Sequence, residues 1–364
     1  LVLPGRQQRY CNDLTGVAPE HVTWESRLPR ILKELESYKA DIICMQEVER
    51  DAFSRDFVPA LARLGYLGAG YADRDSDKAV AAMPPGNRSN GVAMFCRPAV
   101  FGVLATRAVL FAEEIDRLMP EAGGELRGRL DGSLNPNGEG GFNTSGQGVA
   151  LLALLRHKST GSQLAVCSTH LYFDFRFNDT KSAQAFMLHR AVDAFVSAEA
   201  GGAPTAVVIC GDFNSMPEGS TASKLIDEAN KSTDMDKEPN AAGGVYRFFR
   251  TGRLEAAHAE HPDTVGSCKP AMATGMVSPL GPMWSAYAQN AGPEAEPECT
   301  SRDVYYSACL DYIWVGATGL SSTVPEVTEL LQIPYENGTA TAFGPIPDSR
   351  WPSDHIALGA TLML

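Results

Sequence analysis

The sequence predicts an α/β protein whose β-sheets are covered by helices, and three features of its apolar pattern lead to this prediction. Short runs that are apolar on both faces alternate along the chain with longer segments of helical periodicity. Hydrophobic residues make up 44% of the 364 residues, which is enough for a large core. They are spread evenly and no Pro/Ser-rich linker divides them, so we expect one domain over residues 1–364 with surface insertions.

The individual elements follow from these periodicities. Residues 24–39 have helical spacing, residues 41–48 form a short apolar run typical of a buried strand, and a second helical pattern ends at Gly65. Further strands are expected at 91–96, 149–155, 164–171, 206–210, 309–315 and 356–364, and further helices at 181–197, 220–229 and 282–288. Segments rich in Gly, Asn and charged residues indicate exposed insertions near 73–90, 120–147 and 230–244.

Charge and cysteine content limit the classes of function. A net charge of −13 argues against a protein that grips nucleic acid by charge alone, but not against an enzyme whose bound cation supplies the positive charge. None of the eight cysteines forms a CxxC pair, so we expect an intracellular protein of the cytoplasm or mitochondrion, although no targeting segment is visible. Five Asn-x-Ser/Thr triplets leave a secreted origin open, at Asn87, Asn143, Asn178, Asn230 and Asn337. No apolar stretch is long enough to suggest a membrane partner.

Polar side chains with metal-binding or proton-transfer chemistry follow or begin several predicted strands. Glu47 offers a hard oxygen ligand suited to Mg²⁺, and Asp212 and Asn214, two residues apart, are expected to point to the same side. An acid inside a strand, Asp311, is costly to bury without a partner, and His355 is an obvious one. Each signal alone is also typical of a turn, a solvated loop or a structural histidine.

In order along the chain, these motifs resemble those of the endonuclease/exonuclease/phosphatase superfamily. They are Gln-Glu-Val at 46–48, Thr-His-Leu at 169–171, Gly-Asp-Phe-Asn at 211–214, Asp-Tyr-Ile at 311–313 and Ser-Asp-His at 353–355. The resemblance is closer to the branch of nocturnin-type deadenylases and the mitochondrial 2′,5′-phosphodiesterase, and it runs from about Trp24 to the C-terminus. It implies a four-layer α/β sandwich, with two packed mixed β-sheets and helices outside.

The resemblance also implies a metal-dependent hydrolase acting on RNA or oligonucleotide 3′ ends. Glu47 would be the main ligand of Mg²⁺, with Mn²⁺ as an alternative, and Asp354 would support the metal site. Asp212 would orient or deprotonate the attacking water. Such chemistry needs an aligned water, a cation on the phosphoryl oxygens and donors where charge develops.

The other family motifs imply contacts with the scissile phosphate. Asn214 would hold it, His170 would donate to one of its oxygens, and His355 would contact it with a ring fixed by Asp311. Aromatic and basic residues nearby are candidates for substrate binding, because rings stack on bases and guanidinium groups contact phosphates. These candidates are Phe213, Tyr172, Phe173, Arg247 and Arg250, of which the arginines also fit a half-exposed amphipathic helix.

Three departures from the family pattern affect the expected specificity. The family's first strand carries an Asn of the metal site, whereas Asn12 here lies in loop-like sequence, so that strand is upstream or lost. Ser168 stands where the family usually has Asn. At the position of the aromatic residue that stacks on the substrate base in deadenylases the chain has Cys299, followed by Thr300 and by Ser301 in place of Asn.

These departures leave several functions open. The leading prediction is a Mg²⁺-dependent 3′→5′ exoribonuclease or phosphodiesterase of the poly(A) or 2′,5′-oligoadenylate type. A uridine-specific 3′ exoribonuclease of RNA editing and a catalytically impaired scaffold subunit are the alternatives, and protein partners cannot be read from the sequence. A phosphatase or lipid phosphodiesterase is disfavoured, because no basic lipid-binding patch is visible.

Overall fold

Two β-sheets pack face to face, with helices on both outer surfaces, in the computed structural model of the chain. The structure describes residues 17–74, 90–131, 148–220, 223–224, 242–263, 275–288, 295–302, 306–318, 324–333 and 345–364. The longer strands are β1 Ile42–Glu49, β2 Leu67–Asp73, β3 Asn90–Cys96, β4 Phe101–Leu110, β5 Val149–His157, β6 Gln163–His170, β7 Thr205–Asp212, β14 Asp311–Thr318, β15 Glu326–Leu330 and β16 Ala360–Met363. The strands of two or three residues are β8 Ser223–Lys224, β9 Arg253–Leu254, β10 Met276–Val277, β11 Trp284–Ser285, β12 Ser301–Arg302 and β13 Tyr306–Ala308.

Two of the helices precede β1, and the others lie between strands in sequence. The helices are α1 Pro19–Val22, α2 Trp24–Tyr38, α3 Arg50–Ala52, α4 Val58–Arg63, α5 Phe111–Leu118, α6 Gly124–Asp131, α7 Asn178–Glu199 and α8 Gly244–Thr251. A π-helical turn, Phe53–Phe57, joins α3 to α4, and a 3₁₀ turn, Phe175–Phe177, precedes α7. None of the helices in the described part of the chain is long and apolar enough to cross a bilayer.

The larger sheet has six strands in the order β11-β14-β7-β6-β5-β4 and is mixed, because β6 and β7 run parallel while its other pairs are antiparallel. The second sheet has the order β1-β3-β2 with antiparallel pairing. Strands β15 and β16 form a separate antiparallel pair. The parallel β6–β7 pair is joined through α7, as parallel strands require a crossover.

The side-chain alternation of β3 shows how the layers are held together. Val92 and Met94 pack between the two sheets, whereas Ala93 and Phe95 pack under the helices α2 to α4. The larger sheet is sandwiched in the same way, since its outer face packs against α5, α7 and α8. This order of layers is the predicted four-layer α/β sandwich, built because strands buried on both faces need apolar residues in successive positions.

Most predicted elements are present, but two predicted helices differ from the structure and several elements were not predicted. The helix predicted at 282–288 is wrong, since Trp284 and Ser285 pair with β14 as an edge strand and a turn follows. Within the helix predicted at 220–229 the described residues Ser223–Lys224 form a strand with β13, and the remainder after residue 220 lies outside the described residues. The unpredicted elements include β2, β4, β15 and α5. Strands β2 and β4 are half-exposed, and their glycines and polar residues obscure the alternation.

The predicted insertions fall mostly on residues that the structure does not describe, namely 75–89, 132–147 and 230–241. The described part of the 120–147 segment is not simply exposed. Leu126 and Leu130 of α6 are 0% and 1% exposed and belong to the core under the larger sheet. The helix therefore extends the outer layer, and the glycines around it concealed its apolar face in the sequence.

Candidate active site

Three neighbouring strands of the larger sheet bring an imidazole and two carboxylates to one edge. His170 ends β6 and lies opposite Asp212 at the end of the parallel strand β7. Asp311, the first residue of β14, lies opposite Asp212 on its other side. Residues that are opposite each other on adjacent strands place their side chains on the same face. The Nε2 atom of His170 is accordingly 3.5 Å from Oδ2 of Asp212.

Glu47 approaches this edge from the second sheet through a β-bulge. The pairing of β1 with β3 shifts between Met45 and Val48, and Glu47 has φ = 55° within that bulge. Bulges re-aim side chains next to active sites, and a positive φ is uncommon for a residue with a Cβ atom. Its side chain is 27% exposed, and Oε1 is 3.8 Å from Nη2 of Arg74.

His355 is fixed in the site by a chain of hydrogen bonds through Asp311. Its Nδ1 atom is 2.8 Å from Oδ2 of Asp311, and the same oxygen accepts a hydrogen bond of 2.5 Å from Oγ1 of Thr300. Thr300 is fully buried and its Oγ1 also accepts from the backbone N–H of Leu310, at 2.9 Å. The Nε2 atom of His355 is 3.9 Å from Oδ2 of Asp212, so the ring lies between the two carboxylates.

The charges at this edge are coupled. Burial and then the negative charge of Asp311 raise the pKa of Asp212 to about 7, against the opposing effects of His355 and the Asn214 N–H, and Glu47 adds a smaller increase. Burial disfavours the imidazolium form of His355, but the charge of Asp311 and the hydrogen bond to it raise its pKa to about 10. Burial and the positive charges of Arg74 and His355 hold the pKa of His170 well below its usual range. At neutral pH these directions favour a neutral His170 beside a charged His355.

Asn214 is held in a left-handed backbone conformation, with φ = 49°. Its N–H donates to Oδ1 of Asp212 at 2.8 Å, and its Nδ2 donates to the carbonyl of Leu171 at 3.1 Å. The Nζ atom of Lys181, a residue only 2% exposed, donates to the Asn214 carbonyl at 2.6 Å. Asparagine tolerates this conformation better than most residues, and the three bonds fix it.

The donor set at this edge fits a divalent cation. The ligand atoms of Asp212, Asp311 and His355 all lie within 4.8 Å of one another. The two carboxylates would be the ligands in this group, because a charged His355 has no free lone pair for a metal. Burial and then the neighbouring charge of Asp311 raise the pKa of Asp212, and a bound cation would lower it again. Asp354, a predicted metal ligand, is not one of these three residues, and one of its carboxylate oxygens is 3.4 Å from Oγ of Ser353.

Two of the aromatic residues predicted to bind substrate are core residues. Phe213 is 0% exposed and its ring packs edge-on against Phe249 and Tyr312. Tyr172 is 2% exposed. Because neither ring has free surface, both predictions need correction, whereas Phe173 is 44% exposed three residues after His170 and has a face available for stacking. Cys299 is fully buried and does not replace the missing aromatic residue at the surface.

The two predicted substrate-binding arginines lie on α8 and pair with acidic side chains. Arg247 is 3.0 Å from carboxylate oxygens of both Glu218 and Glu255, and Arg250 is 3.3 Å from Glu218. The aromatic residues between them, such as Phe248, are buried. The helix α8 is therefore half-exposed and amphipathic, which is the alternative interpretation of these arginines. No described hydrogen bond or ion pair links Arg247 or Arg250 to the strand-end cluster, which consists of His170, Asp212, Asp311 and His355.

Three site residues were not found from the sequence: Thr300, Lys181 and Arg74. Thr300 lies in the stretch that corresponds to the family's Thr-Asn pair. The signal that could have identified it is Asp311, because an acid buried in a strand needs a hydrogen-bond donor as its partner. The sequence around Lys181 predicts only a helix, which the structure confirms. Arg74 lies at the start of a predicted insertion, and its Nη2 atom is 2.6 Å from Nδ1 of His170.

The sandwich carries a cluster of carboxylates and histidines at the ends of three neighbouring strands. The chain belongs to the Endonuclease/Exonuclease/phosphatase family, whose model matches residues 22–355. It is 27% identical over 354 residues to the CCR4-Not complex 3′-5′-exoribonuclease subunit Ccr4 of Yarrowia lipolytica, covering 92% of this chain and 43% of that protein. It is 26% identical over 348 residues to human 2′,5′-phosphodiesterase 12, covering 94% and 46% respectively.

Solved structures agree with this assignment of the fold. The 2′,3′-cyclic phosphatase ANGEL2 superposes with a TM-score of 0.65 at 20% identity, covering 98% of this chain and 92% of that chain. The catalytic domain of human nocturnin gives a TM-score of 0.54 at 20% identity, covering 94% and 88%. The predicted superfamily and branch are thus confirmed, and the chain spans about half the length of the curated relatives it matches.

Proposed function

We propose that this chain is a Mg²⁺-dependent 3′→5′ exoribonuclease or phosphodiesterase that hydrolyses the 3′ ends of RNA or oligonucleotides. The observation that carries the proposal is the meeting of His170, Asp212, Asp311 and His355 at one sheet edge, with Glu47 facing them from the other sheet. The match to a 3′-5′-exoribonuclease and a 2′,5′-phosphodiesterase over more than nine-tenths of the chain supports the substrate class.

In this proposal Asp212 acts on the attacking water. Burial and the charge of Asp311 raise the pKa of Asp212 to about 7 in the absence of a cation. A bound cation would lower that pKa, so the carboxylate would be ionised and able to accept a proton at neutral pH. The Asn214 N–H bonded to Oδ1 leaves Oδ2, which faces both histidines, as the oxygen that would receive the proton.

The two histidines have different tasks. His355, charged and fixed by Asp311, donates from Nε2 to the phosphate oxygens and stabilises the charge that develops on them. His170, neutral and 4% exposed, donates a hydrogen bond from Nε2 without adding charge. Asn214 would hold the scissile phosphate at the same edge.

Glu47 would be the main ligand of Mg²⁺, with Mn²⁺ as an alternative, and the neighbouring carboxylates of Asp212 and Asp311 would add oxygen donors. Asp354 belongs to the proposal as a supporting residue near this group. When bound, the cation would neutralise the phosphoryl oxygens and so lower the barrier to attack. This would allow a chain with a net charge of −13 to act on a polyanion.

Phe173 is the residue we propose to stack on a base of the substrate, because its exposed ring follows directly from the strand that carries His170. Stacking of this kind contributes about 1–3 kcal/mol per base and tolerates any base, so it does not select adenine. The proposal does not extend to Arg247 and Arg250, whose guanidinium groups are already paired with acids. We place the activity inside the cell, in the cytoplasm or mitochondrion, in keeping with buried cysteines in both sheets.

The test is digestion of 5′-labelled oligo(A), oligo(U) and 2′,5′-linked oligo(A) with and without Mg²⁺. We expect a ladder of products shortened from the 3′ end that requires the metal and disappears in Glu47→Gln and Asp212→Asn. Glu326→Gln, an exposed glutamate on β15, is the matched control and should digest at the parental rate. A ladder of equal rate in Asp212→Asn, or no ladder on any substrate, contradicts the proposal. If no substrate gives a ladder and Mg²⁺ does not raise the melting temperature, the result favours a catalytically impaired scaffold subunit.

A further inference from the structure

Arg74, the residue after β2, reaches into the strand-end cluster from the second sheet. Its Nη2 atom is 2.6 Å from Nδ1 of His170 and 3.8 Å from Oε1 of Glu47. The side chain is 17% exposed, and its backbone N–H donates to the carbonyl of Asn90 at 3.0 Å. The backbone of Arg74 is therefore held by the pairing of β2 with β3, and its guanidinium group lies between an acidic residue and an imidazole.

The contact with His170 determines where the proton of that imidazole lies. A guanidinium group has five N–H donors and no acceptor, and it stays protonated in proteins. A hydrogen bond of 2.6 Å between Arg74 and Nδ1 therefore requires Nδ1 to be the acceptor. The ring proton must then be on Nε2, which lies 3.5 Å from Oδ2 of Asp212.

The opposite tautomer would be doubly unfavourable. A proton on Nδ1 would point at the N–H of Arg74, and an unprotonated Nε2 would present a lone pair to the carboxylate of Asp212. A wrong tautomer also changes function, because the nitrogen that faces the reacting group then accepts where it should donate.

We propose that Arg74 is a positioning residue that holds His170 as the neutral Nε2–H tautomer, so that His170 donates a hydrogen bond into the site. Arg74 acts through the ring and its role does not require contact with the substrate. The placement of its charge beside Glu47 adds a second restraint, since the carboxylate keeps the guanidinium group from turning away from His170.

The test is the tautomer itself, read from long-range ¹H–¹⁵N correlation spectra of protein labelled with ¹⁵N-histidine, with His170→Gln to assign the signals. The wild-type ring should show the Nε2–H pattern at neutral pH. Arg74→Met should shift the ring toward a mixture or the Nδ1–H pattern, whereas Arg74→Lys, which also only donates, should keep Nε2–H. Arg50→Met is the matched control, because Arg50 pairs with Asp73, the residue before Arg74. Its Nε atom is 2.8 Å from Oδ2 of Asp73.

Two outcomes overturn the proposal: a wild-type ring protonated on Nδ1, or an Arg74→Met ring that keeps the pure Nε2–H pattern. The wild-type and Arg74→Lys spectra decide the matter even if Arg74→Met does not fold. A further arm rests on the proposed function: kcat on an RNA oligonucleotide should fall at least about tenfold in Arg74→Met and recover in Arg74→Lys, with KM changed less. If the tautomer follows the prediction but no RNA is hydrolysed by the parent, the proposed function fails and the role of Arg74 stands.

Discussion

Removing the hydroxyl of Thr300 should weaken both the fold and the proposed activity, because one buried oxygen holds three groups. Oγ1 donates to Asp311 at 2.5 Å and accepts from the N–H groups of Leu310 and Asp311, at 2.9 and 3.2 Å. A hydrogen bond to a charged group contributes about 1.5–3 kcal/mol, and an orphaned buried donor costs about 1–3 kcal/mol. Water can reach Asp311, whose side chain is 14% exposed. We therefore take the low end for each of the three contacts and expect Thr300→Val to lose about 3.5 kcal/mol.

The effect on turnover follows from the same contacts. Without Thr300 the Asp311 carboxylate can rotate, and His355 loses its fixed orientation. Loss of such supporting partners typically costs about 10–100-fold in activity. Thr300→Ser keeps the oxygen and loses only a methyl group, about 1 kcal/mol, so it should retain most of the activity. Urea unfolding and kcat on an RNA oligonucleotide measure the two effects. The reasoning is refuted if Thr300→Val stays within about 0.5 kcal/mol of the parent with unchanged kcat.

Three further predictions concern other contacts of the site. In metal-free protein the raised pKa of Asp212 means that the folded state binds more protons than the unfolded state between pH 3.8 and about 7, so stability should fall as pH rises through that range. Asp212→Asn should flatten this part of a series of urea-unfolding measurements at different pH. An unchanged slope would count against the burial of this charge. Lys181→Met removes the Nζ–H donor to the Asn214 carbonyl and should lower kcat by about tenfold or more, with Lys181→Arg intermediate. Equal kcat values for the parent and both variants in steady-state kinetics would show that Asn214 needs no such support. Phe173→Ala should raise KM for oligonucleotides about 5–150-fold while Phe173→Trp does not, and equal KM values for both variants would exclude stacking at this ring.

The positions of the site residues at strand ends could be predicted because strand periodicity carries that information. Asp212 and Asn214 were expected on one side of the chain, and the structure places both at the edge of the sheet. The same alternation sends the intervening Phe213 into the core, so its assignment to the substrate contradicted a rule already applied to its neighbours. The resemblance to the family motifs implied a chemical role for each of these residues, which neither periodicity nor composition could do.

Other features depend on contacts between distant segments and left no local signal. The bulge that aims Glu47 arises from the register of β1 against β3, which one sequence does not specify. Lys181 reads as an ordinary helix residue until the carbonyl of Asn214, 33 positions away, is placed above it. The roles of Thr300 and Arg74 likewise follow only from their hydrogen bonds to Asp311 and His170, which lie on other strands.

The most direct test of the account is to locate a bound metal ion. Crystals grown with Mn²⁺ should give an anomalous difference peak adjacent to the carboxylate oxygens of Glu47 and Asp212, and the peak should vanish in Glu47→Gln crystals grown under the same conditions. A peak bound elsewhere, or carboxylates of these two residues that face separate parts of the molecule, would contradict the claim that both sheets together form one metal-dependent active site.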